Sequence, residues 1–147
     1  MGARDKGLAR LHGGNLTVIA AGLPSLKINC LIAQSDDRVW IGTDNGIALW
    51  DEKQLARVPP VFEHVPTFAM TLGRDGTVWA GTACGLFSID SSGAATLVDL
   101  GAVTAVFEDR EGNFWIAGDD RLERLRRGSF TTWSKQDGLP SDSVGPL

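Results

Sequence analysis

Two histidines, two cysteines and a few short acidic turns are the side chains of this 147-residue chain that could do chemistry. A general acid or base would have to come from His12 or His64. His12 lies just before the Gly13-Gly14 turn and His64 stands between Pro60 and Pro66, with no matching carboxylate motif, so both are expected to be loop histidines. Cys84 has no nearby histidine or second cysteine in sequence, a weak signal for a nucleophile or ligand. Asp109-Arg110-Glu111-Gly112-Asn113 sets carboxylates two apart but lacks the ligand series and terminal glutamate of a calcium loop, so it reads as a hairpin turn. No metal and no cofactor is expected.

The elements that must position these groups announce themselves by repetition. Asp37-Arg38-Val39-Trp40-Ile41-Gly42-Thr43-Asp44-Asn45-Gly46-Ile47 returns as Asp75-Gly76-Thr77-Val78-Trp79-Ala80-Gly81-Thr82-Ala83-Cys84-Gly85-Leu86. A looser third copy runs from Glu111 through Trp115 to Leu122. The tryptophans are 39 and then 36 residues apart, a period typical of solenoids, propellers and arrays. Trp40, Trp79 and Trp115, with Gly42, Gly81, Gly46 and Gly85, are thus structural repeat positions. Each copy has a turn signal, an apolar run around tryptophan, a second turn and a further apolar run, which is a β-hairpin pattern. Val39-Trp40-Ile41 and Phe114-Trp115-Ile116 put bulk on both faces of their strands, so both faces must be covered.

The spacing predicts strands over 28–33, 39–43, 47–50 and 55–58, then 68–72, 77–81, 86–89 and 95–98, then 103–107, 114–117, 122–125 and 130–133. A further unit begins at Ser143. Ten residues before each tryptophan stands Cys30, Ala69 or Ala105, small side chains that suit a crowded inner strand. Cys30 is therefore expected to be a small buried hydrophobe, not disulfide-bonded to Cys84. Four-stranded antiparallel units of this length are propeller blades. The fold expected is all-β: a propeller segment of about three four-stranded blades plus two partial terminal blades, not closing a ring on its own. Its parts are 7–21 (end of a blade), 22–62, 63–99, 100–137 (three blades) and 138–147 (start of another).

A net charge of −4 lacks the basic footprint of a nucleic-acid binder, and no nucleic-acid partner is expected. Arg121, Arg124, Arg126 and Arg127 form a basic cluster, expected to be a solvated strand edge and hairpin. No apolar run approaches 18 residues and no leader-like segment is present, so neither a signal peptide nor membrane insertion is expected within this stretch.

Gly138-Leu139-Pro140-Ser141-Asp142-Ser143-Val144 echoes Gly22-Leu23-Pro24-Ser25. Together with the run from Phe107 to Ile116 and the run from Trp40 to Ile47, it resembles the two-component regulator propeller repeat of bacterial hybrid histidine kinases and diguanylate cyclases. The resemblance covers nearly the whole chain. The third copy departs from it, with Ala117, Gly118 and Arg121 where the pattern has Gly, Thr and Gly. What the resemblance implies is a periplasmic, ligand-sensing part of a membrane-bound receptor, non-catalytic by itself. The partners implied are a small-molecule or glycan ligand and the rest of the same polypeptide: further blades and a histidine kinase or diguanylate cyclase output module. The alternatives are a streptogramin-lyase-like propeller enzyme, whose blades share an Asp-Gly-x-x-Trp pattern, and a protein-binding scaffold. In propellers, the turn between second and third strands and the connections between blades lie on the usual face of ligand entry. Asp44, Asn45, Cys84, Asp119 and Asp120, with Lys27 and His64 on the connections, are accordingly expected to border a polar ligand site.

Overall fold

A computed structural model describes residues 2–3, 7–51, 53–56, 58–126 and 129–133. Fifteen strands are seen there: β1 (Gly2–Ala3), β2 (Gly7–His12), β3 (Asn15–Ile19), β4 (Ile28–Ser35), β5 (Arg38–Thr43), β6 (Gly46–Asp51), β7 (Gln54–Ala56), β8 (Thr67–Leu72), β9 (Val78–Thr82), β10 (Gly85–Ile89), β11 (Ala95–Leu100), β12 (Val103–Glu108), β13 (Phe114–Gly118), β14 (Leu122–Arg126) and β15 (Ser129–Trp133). They form one three-stranded sheet, β1-β2-β3, and three four-stranded sheets, β4 to β7, β8 to β11 and β12 to β15, each a meander in chain order. This is the blade pattern expected from the repeat. The fourth strand of the first complete sheet ends at Ala56, two residues before the expected 58. The unit expected from Ser143 lies outside the described residues.

Each of the three repeat tryptophans stands in the second strand of its sheet, Trp40 on β5, Trp79 on β9 and Trp115 on β13. Neighbouring residues on these strands point to opposite faces, and burial on both sides follows the continuous apolar runs. Trp40 and Ile41 are both buried, as are Ile116 and Ala117.

Tertiary contacts divide the chain into two compact units, Met1–Phe68 and Ala69–Leu147. In the first, Leu8 and Ile19 pack with Ile41 and Ala48, flanked by Leu23, Ile28, Leu31, Val39, Trp50 and Leu55. In the second, Leu86, Val103, Val106 and Ile116 form the core, with Ala69, Trp79, Val98 and Leu125 against it. The repeat glycines are needed for this close approach. At Gly81 an added β-carbon would sit 2.7 Å from Val103 Cγ1, and at Gly42 it would collide with the Cys30 sulfur. Cys30 itself is half-buried, both cysteines are free thiols, and burial pushes the Cys30 thiol up to about 11.

Six residues before each tryptophan, the repeats diverge. Gln34 Oε1 accepts the Trp40 indole N–H at 3.1 Å, and Asp109 Oδ2 accepts that of Trp115 at 2.9 Å. Gly73 stands at this place in the middle repeat and offers no acceptor, so Trp79 Nε1 is buried without a hydrogen-bond partner among the described residues. Its ring stacks instead on Phe114, with centroids 4.6 Å apart. Asp109 also accepts the backbone N–H groups of Glu111 and Asn113, so the acidic stretch is the hairpin turn its sequence suggested.

The arginine cluster is not a solvated edge where its side chains are described. Arg121 Nη1 donates to Glu123 Oε1 at 3.0 Å, both side chains largely buried. Arg124, paired across the strands with Trp115, lies with its guanidinium 5.7 Å from that ring's centroid. The side chains of Arg126 and Arg127 lie outside the described residues.

Candidate functional site

The turn between the second and third strands is built the same way in the first two complete sheets. Thr43 Oγ1 donates to Gly46 O at 2.8 Å and accepts the Asn45 N–H at 3.1 Å. Thr82 Oγ1 likewise donates to Gly85 O at 2.8 Å and accepts the Cys84 N–H at 3.2 Å. Both threonines are fully buried, so one hydroxyl satisfies backbone groups that water cannot reach. The third copy, with Gly118 and Arg121 in place of Thr and Gly, closes the turn with a backbone bond: Gly118 N–H donates to Arg121 O at 3.0 Å. The departure from the pattern changes how the turn is closed without removing it.

On the first of these frames the structure assembles four of the seven expected site residues. Lys27 Nζ donates to Asp44 Oδ2 at 2.9 Å, and Asn29 Nδ2 donates to Asp44 Oδ1 at 2.8 Å and to Thr67 O at 3.0 Å. Lys27, then Asn29, holds the Asp44 carboxyl below the usual carboxylate range. One residue on, Asn45 Nδ2 donates to Pro24 O at 3.1 Å while its Oδ1 lies 3.2 Å from His64 Nδ1. The backbone joins the same parts, since His64 N–H donates to Asn45 O and Asp44 N–H to Lys27 O. Three separate stretches are tied together: the chain entering β4, the β5–β6 turn, and the connection from β7 to β8.

That connection carries a single 3-10 turn, Pro60–Phe62, which anchors Phe62 at 1% exposure. His64 then takes a left-handed backbone conformation, φ 60°, rare outside glycine. Such strain persists only where the surroundings over-determine it, and here both the backbone and the ring of His64 are bound to Asn45. Between the connection and the turn lies a cavity of about 380 Å³, lined by Pro24, Asn45, Gly46, Ile47, Val58, Phe62, Glu63 and His64. Gly46 makes room for it: with φ 135°, an added β-carbon would stand 2.8 Å from Phe62 O. An apolar wall with a few convergent polar groups is the usual make-up of a small-molecule site.

Asn29, Phe62 and Glu63 were not singled out by their sequence. Phe62 and Glu63 had one available signal, the length of the connection, ten residues after β7 against two after β11. Asn29 had none, because it lies on a strand and acts through a turn fifteen residues away. The other three expected residues belong to the second unit. Cys84, Asp119 and Asp120 are exposed at their turns. His12 is exposed at the end of β2. Among the described residues, no group of three or more His, Cys, Asp and Glu side chains is placed to hold a metal ion. No helix there is long and apolar enough to cross a membrane.

Residues 22–45 and 98–120 match the family described as two component regulator propeller. No curated protein matches it in sequence. Among solved structures, it is similar to the extracellular domain of a one component system from B. thetaiotaomicron, with TM-score 0.80 and 20% identity over 97% of this chain and 22% of that one. A hybrid two component system of the same organism gives TM-score 0.79 and 18% identity, again over 97% of this chain and 22% of the other. Virginiamycin B lyase from Staphylococcus aureus shares the fold with TM-score 0.73 and 13% identity, over 97% of this chain and 52% of the lyase. The chain thus spans about a fifth of the length of the extracellular domains it resembles. At these identities the likeness is one of fold, and the fold is that of a propeller segment.

Proposed function

We propose that this chain is a ligand-sensing part of the propeller of a bacterial two-component or hybrid signalling receptor. It lies on the periplasmic side of the membrane, is not itself catalytic, and works together with further blades and an output module of the same polypeptide. The observation that carries this reading is the convergence of Lys27, Asp44, Asn45 and His64 from three stretches of chain beside one cavity. The family repeats and the extracellular solved relatives support the setting. Within the site, Lys27 and Asp44 fix the entering chain to the turn, and Asn45 and His64 hold the rim of the cavity in one geometry. A small molecule or glycan seated there would bridge the turn and the connection, so that its presence is felt by two adjoining strands. Cys84, Asp119 and Asp120 belong to the same proposal as turn residues of the later repeats. The test is the dose response of the full-length receptor carrying alanine at Asn45 and His64. A response shifted to higher ligand concentration is expected; an unchanged curve in both variants rejects the site. Consumption of the ligand by the isolated chain would favour a lyase instead.

A further inference from the structure

The hydrogen bonds around the cavity determine what kind of group can enter it. Asn45 Nδ2 donates to Pro24 O, which fixes the amide's orientation and turns Oδ1 toward His64. Oδ1 can only accept, so His64 Nδ1 carries the proton of that contact, and in the neutral ring Nε2 is left as an acceptor. Glu63 is exposed, lines the same cavity, and its carboxylate makes no ion pair among the described residues. The nearby Lys27 ammonium is already engaged with Asp44. The polar side chains of the residues that line the cavity therefore carry more acceptors than donors: the two oxygens of Glu63, His64 Nε2 and the second lone pair of Asn45 Oδ1. Against them stands one spare N–H of Asn45. The rest of the wall is apolar, from Pro24, Ile47, Val58 and Phe62.

Resting on the reading of this cavity as the ligand site, we propose that it takes a small organic ammonium ion. The N–H groups of the ion donate to Glu63 and His64 Nε2, and its alkyl part lies on the apolar wall. An anion is repelled by Glu63 and finds a single donor. A neutral alcohol can donate one hydrogen bond but brings no positive charge to pair with the Glu63 carboxylate. The chain's net charge of −4 favours approach of a cation over an anion.

The test titrates the isotopically labelled 147-residue chain separately with n-butylammonium, n-butanol and butyrate, following the His64 ring and Asn45 side-chain amide signals by NMR. Butylammonium is expected to shift both saturably, with butanol about tenfold weaker and butyrate without effect. Glu63→Gln should weaken butylammonium about tenfold and butanol by much less. Butanol or butyrate binding as well as butylammonium, or an unaltered titration in Glu63→Gln, overturns the ammonium assignment while leaving the cavity as the ligand site. Shifts at neither His64 nor Asn45 with any of the three probes overturn both.

Discussion

The turn after the tryptophan strand carries Asp44 and Asn45 in the β4–β7 sheet, whereas the same turn in the β8–β11 sheet carries Ala83 and Cys84. The partners change with it. Thirty-nine residues after Lys27 and Asn29 stand Pro66 and Phe68, and the ten-residue connection that supplies Phe62, Glu63 and His64 shrinks to Gly101-Ala102 after β11. Yet the buried threonine, its bond to a glycine carbonyl and the strand register beside it are the same in both sheets. Two layers of information are superposed. The buried layer is fixed by packing and by backbone groups that must be satisfied. The exposed turn and the connection are free of that demand, so polar groups can be gathered in one repeat and omitted from the next.

Phe62→Ala should separate the two sheets most, because Phe62 is the buried anchor of the long connection among the described residues. A loss of about 3–5 kcal/mol in denaturant unfolding is expected, with no counterpart in the second sheet, whose connection has no such residue. A loss below about 1 kcal/mol would mean that the connection is not anchored as described.

Thr43→Val and Thr82→Val sharpen it from the other side. Each leaves a buried glycine carbonyl and a turn N–H without the hydroxyl, at a cost of about 1–2 kcal/mol. Thr82→Val should cost somewhat more, by roughly 0.5–1 kcal/mol, because Thr82 Oγ1 also accepts the Gly85 N–H at 3.1 Å. A larger cost at Thr43 than at Thr82 would show that Asp44 and Asn45 contribute to the turn's stability as well as to the site.

At the other end of the repeat, Asp109 stands at the position held by Gly73 in the middle copy. The Trp115 indole N–H, then Asn113, holds the Asp109 carboxyl well below the usual range. A depressed carboxyl contributes stability that is fully present above the unfolded value of about 3.9 and is lost as pH falls toward the folded one. Stability should therefore decline below about pH 4. Asp44 and Asp90, also lowered, by Lys27 and Ser92 first, add to the same decline. Asp109→Asn should be less stable than the wild type at pH 7 and show a shallower loss on acidification, read as denaturation midpoints at pH 7, 5 and 3. An unchanged slope would remove Asp109 from the account.

Lys27→Ala should have the smallest effect on folding, within about 0.5 kcal/mol, because its pair with Asp44 is exposed and screened by solvent. If unfolding shows more, the ion pair is part of the frame and not an addition to it.

The repeat was legible because its marks are forced by burial. A tryptophan flanked by apolar residues, a glycine where strands approach closely and a threonine inside a turn each report a local requirement, and strands within a few residues of the observed ones follow from their spacing. Asp44 and Asn45 could be named for the same reason, since a turn position is a local property. Lys27 and His64 could also be named, from the connections they occupy, but which turn residue each would meet was not legible. Lys27 and Asp44 are 17 positions apart and Asn45 and His64 are 19 apart, and nothing in either neighbourhood encodes the other. The sequence also presented Arg121 and Arg124 as solvated charge, because neither the buried Glu123 pairing nor the Trp115 face is visible without the strand register. Local turn and strand chemistry thus belongs to the sequence alone. The cavity, the tautomer of His64 and the grouping of its acceptors belong to the tertiary structure, because they arise only where the long connection folds back over a turn fixed earlier in the chain.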